Sequence, residues 1–167
     1  MNAVDNAGFT AHQVYLKVSA WCAYQDRCYL EVEKKLATYQ LDEETCYQII
    51  TKLREENFIN EERFARSFAG GKFRMKHWGK QKIAANLKAR QIGTRLITEA
   101  LAEEIPDEDY RDALQQILAS KLQERKAEPR AIALLKAKQF AMNKGYELWL
   151  ISDVLAELEP KKKSNLF

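Results

Sequence analysis

The amino-acid sequence predicts an all-α protein, an elongated tandem array of three repeats with three helices each. Three observations lead there. The chain is dominated by Ala, Leu, Glu, Lys, Gln and Arg, which lose least on entering a helix. Only 6 Gly and 3 Pro interrupt its 167 residues, too few for the closely spaced turns of an all-β chain. An apolar pattern also recurs: Val32, Leu36, Leu41 and Ile50 align with Ile83, Leu87, Ile92 and Leu101, and then with Ala137, Ala141, Tyr146 and Leu155. Repeats of this length mark stacked supersecondary units that share a core. The boundaries read as an N-terminal extension (1–10), repeat 1 (11–59), a basic repeat 2 (60–105), repeat 3 (106–158) and a basic tail (159–167).

The helices follow in order. Val14, Val18, Trp21 and Cys22 fall on one face of the first, and Val32 and Leu36 on one face of the second. Asp42 then caps a third that carries Cys46, Ile49, Ile50 and Leu53, with Glu43 and Glu44 suiting its positive end. Repeat 2 opens with Phe64 and Phe68, continues with Ile83 and Leu87, turns at Gly93, and closes with Leu96, Ile97, Ala100 and Leu101. Pro106-Asp107 punctuates the chain before Tyr110, Leu114, Ile117, Leu118 and Leu122, and repeat 3 ends on Leu148, Ile151 and Leu155. Trp21, Ile50, Phe64, Phe68, Ile83, Leu87, Leu101 and Leu114 are the expected core.

Several function classes are disfavoured. No stretch approaches the roughly 18 apolar residues of a membrane span. The start, Met1 to Phe9, lacks the basic residue and apolar run of a secretory signal. Cys22, Cys28 and Cys46 are odd in number and have no paired C-x-x-C spacing, so they read as small core hydrophobes in a reducing cytoplasm rather than disulfides or zinc ligands. His12 and His77 fall in different repeats, outside metal-ligand spacings. Gly70-Gly71-Lys72 lacks the remainder of a phosphate loop. The expected protein is not an enzyme.

Charge is the sharpest local signal. Residues 1–62 hold 6 basic and 11 acidic side chains, and residues 96–167 hold 11 and 13. Residues 63–95 hold 10 basic side chains and no acid, where even scatter would place about five acids. The candidate binding surface is therefore Arg63, Arg66, Lys72, Arg74, Lys76, Lys80, Lys82, Lys88, Arg90 and Arg95, with Phe73, His77 and Trp78 among them. Such a stretch suits nucleic-acid phosphates or an acidic protein surface. The competing reading is a solvated surface paired to acids from neighbouring repeats. On a helical wheel Lys80, Lys82, Lys88 and Arg90 flank the apolar stripe rather than form one ridge, which argues against base readout. Reversing Lys80, Lys82 and Lys88 to Glu is expected to spare the fold, with Lys136, Lys138 and Lys144 as a control set.

The central block resembles the RecX family of bacterial recombinase regulators. Asn60-Glu61-Glu62-Arg63-Phe64-Ala65-Arg66-Ser67-Phe68 matches its acidic-Glu-Arg-Phe-Ala stretch. Gly79-Lys80-Gln81-Lys82-Ile83 through Leu87, Lys88, Arg90 and Ile92 matches the Gly-x-x-x-Ile-x-x-x-Leu pattern that follows. The likeness runs from about Trp21 to Leu158, the outer repeats matching mainly in apolar spacing. One departure is that the family often places Gly before the apolar residue ending the second helix, where this chain has Gln40 and Gln91 and keeps only Gly145. The resemblance implies a non-enzymatic, cytoplasmic, monomeric regulator without cofactor or membrane attachment. Its partners would be the RecA recombinase and its filament on single-stranded DNA, with weak direct DNA contact. The implied role is to modulate, toward inhibition, ATP hydrolysis and strand exchange in homologous recombination, DNA repair and the SOS response. The alternative is a general nucleic-acid-binding helical protein acting through the basic middle repeat.

Overall fold

The computed structural model describes residues 8–159; the first seven residues and Pro160–Phe167, with most of the extension and tail, lie outside the described residues. Among the described residues there are nine α-helices and no strand: α1 (Ala11–Tyr24), α2 (Tyr29–Ala37), α3 (Glu43–Glu55), α4 (Glu61–Lys76), α5 (Lys80–Ala89), α6 (Thr94–Glu104), α7 (Asp107–Glu124), α8 (Arg130–Lys144) and α9 (Leu148–Leu158). Local chemistry fixes their starts. Thr10 and Gln13 form a reciprocal capping box at α1. The Asp42 carboxylate accepts from the Thr45 N–H at 2.8 Å, and Asn60 does the same for Arg63 at 2.9 Å. Pro106 and Pro129 precede α7 and α8, where a missing N–H costs nothing.

The aligned pattern describes real positions. Val32, Leu36, Ile50, Ile83, Leu87, Ile92, Ala137, Ala141, Tyr146 and Leu155 are all buried, while Leu41 and Leu101 are half-buried. The turn after the second helix of each triplet is also the same. Gln40, Gln91 and Gly145 have φ of 53°, 63° and 92°, all left-handed. The departure from glycine thus keeps the left-handed conformation, and Gln carries the conformational cost that glycine avoids. Gly93, the expected turn residue, has no positive φ; Gln91 makes the reversal instead.

The chain divides into two compact units, Met1–Phe68 with Asn86–Ala100 and Ala69–Ala85 with Leu101–Phe167. In the first, α1, α2 and α3 pack on one another around Val14, Val18, Cys22, Val32, Leu36 and Leu53. Trp21 only half-enters this core, because the Arg27 guanidinium covers its ring at 4.1 Å. Phe68, likewise half-buried, lies under Arg90 at 4.9 Å. Cys22 and Cys28 are buried thiols whose pKa rises through burial, and Cys46 is half-buried; all three are free. In the second unit α7, α8 and α9 pack on one another. Leu114, Leu118, Ala137 and Ile151 are fully enclosed, and Tyr110 stacks on Tyr146 at 4.8 Å.

Candidate partner-binding surface

The ten predicted cations fall in both units, and each set has its own surroundings. In the first unit, α4 begins with Arg63 reaching the α1–α2 connection. Its Nε donates to Asp26 at 2.7 Å, and its Nη2 donates to the Asn57 carbonyl at 3.1 Å. Ser67, one turn on, donates to the other Asp26 oxygen at 2.6 Å. Partial burial pushes the Asp26 pKa up, but the Ser67 hydroxyl and the Arg63 guanidinium outweigh it and hold the carboxyl below its usual range. Arg90 pairs with Glu31 at 3.3 Å while covering Phe68. Arg66 and Arg95 pair along their own helices with Glu62 and Glu99, each at 2.8 Å. Lys88 is exposed and has no ion pair among the described residues.

In the second unit the start of α5 is built into the fold. Helix N-termini leave N–H groups without helical acceptors. Here Gly79 N–H donates to the Lys144 carbonyl at 2.8 Å, Lys80 N–H to the Tyr110 hydroxyl at 2.9 Å, and Gln81 N–H to the Gly145 carbonyl at 3.2 Å. The carbonyl end of α8 thus supplies acceptors to the amide end of α5, and the two helix dipoles meet with opposite partial charges. The approach is backbone on backbone. A Cβ at Gly79 would overlap the Gly145 carbonyl, and one at Gly145 would overlap Lys82. The Tyr110 hydroxyl passes its proton-side bond to Glu147 at 2.8 Å, and burial together with that carboxylate drives its pKa far above the phenol range.

Lysines frame this junction. Lys80 Nζ donates to Asp107 at 2.6 Å, and this hydrogen bond holds the Asp107 carboxyl below its usual range. Lys82 Nζ donates to the Asn143 carbonyl at 3.1 Å and sits 4.8 Å from the centre of the Trp78 ring. Lys72 lies over the same ring at 5.4 Å, so two ammonium groups approach the half-buried indole. Lys144 Nζ donates to the Lys76 carbonyl at 2.9 Å, closing the end of α4. Arg74 pairs with Glu104 at 3.2 Å, across a space that Gly70 leaves free of side chain. The Lys76 ammonium is exposed, with no ion pair among the described residues. Gly70 and Gly71 lie inside α4, so that Gly-Gly-Lys run is helical rather than a phosphate-binding loop.

Pairing to acids therefore accounts for Arg63, Arg66, Arg74, Lys80, Arg90 and Arg95. The acceptors Asp26, Glu31, Glu104 and Asp107 come from other helices or connections, and no local pattern announces them. Two sequence expectations change. Lys80 and Lys82 are held by Asp107 and the Asn143 carbonyl, so reversing either removes an intramolecular bond as well as a surface charge. Lys144 caps α4, and so is no neutral control. The aromatic element that composition signalled only as a neighbour, Trp78, is the centre of the lysine pair.

The chain matches the model of the second three-helix domain of RecX over residues 60–101. It is similar to Regulatory protein RecX of Lactococcus lactis subsp. cremoris, 31% identical over 83% of this chain and 52% of that protein. Regulatory protein RecX of Oceanobacillus iheyensis is 26% identical over 90% of this chain and 55% of its own length. The chain thus spans about half the length of the curated relatives it matches. Its fold is that of the crystal structure of RecX from Lactobacillus salivarius, with a TM-score of 0.78 at 23% identity over 89% of this chain and 96% of that one.

Proposed function

The chain belongs to the RecX family of regulatory proteins, and on that premise we propose that it is a non-enzymatic cytoplasmic regulator of the RecA recombinase. It binds the recombinase and its filament on single-stranded DNA, as a monomer, and slows ATP hydrolysis and strand exchange. Family membership carries the reading. The geometry contributes the exposed Lys76 and Lys88 ammonium groups, which have no ion pair among the described residues. Beyond about 8 Å such charges are screened at physiological salt, so they speed encounter while direct contacts hold the complex. No helix among the described residues is long and apolar enough to cross a membrane.

The lysine-flanked indole also favours a second reading, direct binding of nucleic acid, since bases stack on aromatic faces beside cations. Co-sedimentation separates the two. The regulator pellets with recombinase filaments, binds recombinase without DNA, and lowers its ATP hydrolysis. Lys76→Glu with Lys88→Glu weakens filament binding and leaves thermal stability unchanged. Binding to DNA alone, with no recombinase contact, would establish the second reading in place of the first.

A further inference from the structure

Helix α8 buries one face and leaves its opposite face apolar. Ala133, Ala137 and Ala141 are buried, whereas Ile132, Leu135 and Met142 are 43%, 67% and 42% exposed. With Gln139, those three sit at i, i+3, i+7 and i+10, within an arc of about 80° and roughly opposite the buried alanines. This is the spacing of a helix-pairing seam. The charge beside it has one sign. From Pro129 to Tyr146 the chain has Arg130, Lys136, Lys138 and Lys144 and no carboxylate. Lys136 and Lys138 border the stripe on either side of the wheel. Lys136 reaches Glu128 at 2.8 Å, and Lys138 has no ion pair among the described residues.

We propose that the outer face of α8 is a docking surface for an acidic amphipathic helix of a protein partner. Three features select that occupant. An exposed apolar seam gains by being covered, and its two-sided lysine border prefers glutamates and aspartates beside the covering leucines. The narrow arc suits one helix laid alongside, whereas a helix lying on a bilayer presents a wide apolar face. Nucleic acid would gain nothing from Ile132, Leu135 and Met142, which offer neither charge nor a stacking plane. The tail that contains Lys161, Lys162 and Lys163 repeats the charge of α8, so it is the wrong complement. The surface stands on these observations alone; naming the recombinase as the partner that brings the helix rests on the reading above.

The test uses the full chain and two labelled helical peptides, each with a leucine seam, one bordered by glutamates and the other by lysines. Fluorescence anisotropy should show the glutamate peptide binding at least about tenfold more tightly than the lysine peptide, a difference of about 1.4 kcal/mol. Ile132→Ser with Leu135→Ser should abolish that preference by weakening the glutamate peptide about tenfold, with helix content unchanged because both side chains face solvent. Lys138→Glu should weaken the glutamate peptide and strengthen the other. Equal binding of the two peptides, or binding indifferent to these variants, overturns the proposal. So does a photo-crosslinker at position 135 that captures a second copy or the chain's own tail. In parallel, wild type and the double serine variant are compared as inhibitors of recombinase ATP hydrolysis. If wild type has no effect, the regulatory reading fails while the peptide result still decides the surface. If both inhibit equally, the recombinase is not the occupant.

Discussion

The turn at Gln91 and the turn at Gly145 follow the second helix of successive triplets and bend the backbone the same way, yet they tolerate different chemistry. Gln91 is exposed. Gly145 is buried against the start of α5, where a Cβ would overlap Lys82. One left-handed conformation thus has two causes for its residue. At Gln91 only local backbone energy is at stake, about 1 kcal/mol for a non-glycine residue. At Gly145 steric exclusion by a neighbouring helix is added, and this decides the residue. A glycine in this position of a related sequence therefore says little until its neighbours are known.

The largest effect is expected from Gly145→Gln. It imposes the left-handed cost and forces the α8–α5 contact apart, so urea denaturation should show a loss of roughly 2–4 kcal/mol. A loss below about 1 kcal/mol would mean that the junction yields and that the two turns are equivalent. Gly71→Ala, inside α4, should act in the opposite direction. Its Cβ would meet nothing within 4 Å, so alanine should stabilise the chain by about 0.5–1 kcal/mol, read as a raised melting temperature. Gly70→Ala, one residue away, should not stabilise, because its Cβ would displace Arg74 and Glu104. Smallest is Gln91→Gly. Relief of the left-handed strain is offset by the greater freedom of glycine in the unfolded chain, and the net change should stay within about 0.5 kcal/mol. A large change of either sign would show that Gln91 does more than turn the chain.

Legibility in the sequence followed the range of the interactions. Caps such as Asp42 and faces such as Val14, Val18 and Cys22 are local, and the all-α architecture was readable from them. The left-handed φ of Gln91 was not, since glutamine carries no preference for it and the apolar pattern continues through the turn. The cation run from Arg63 to Arg95 was visible as composition. Its partners were not, because Arg90 meets Glu31 and Arg63 meets Asp26 at separations of 59 and 37 residues. The apolar stripe of α8 was present as Ile132, Leu135 and Met142, but a helix with leucines on several faces does not reveal which face is covered. Burial of the alanines instead of the leucines decides that, and only the packed structure shows it.

The bonds that begin α5 also carry a consequence in time. Gly79 and Lys144, donor and acceptor of the first of these bonds, are 65 positions apart, and ribosomes add roughly 5–20 residues per second. For some seconds during synthesis, then, α5 exists without the carbonyls that accept its first amides. At 10 residues it is shorter than the roughly 12–15 at which helices become stable alone. Its first turn must stay hydrated, open to chaperones and proteases, until α8 has been made and has found it. The middle of this chain is therefore finished only after α8 and Gly145 have been made, and any pause in translation before Gly145 prolongs the interval in which the start of α5 lacks its acceptors.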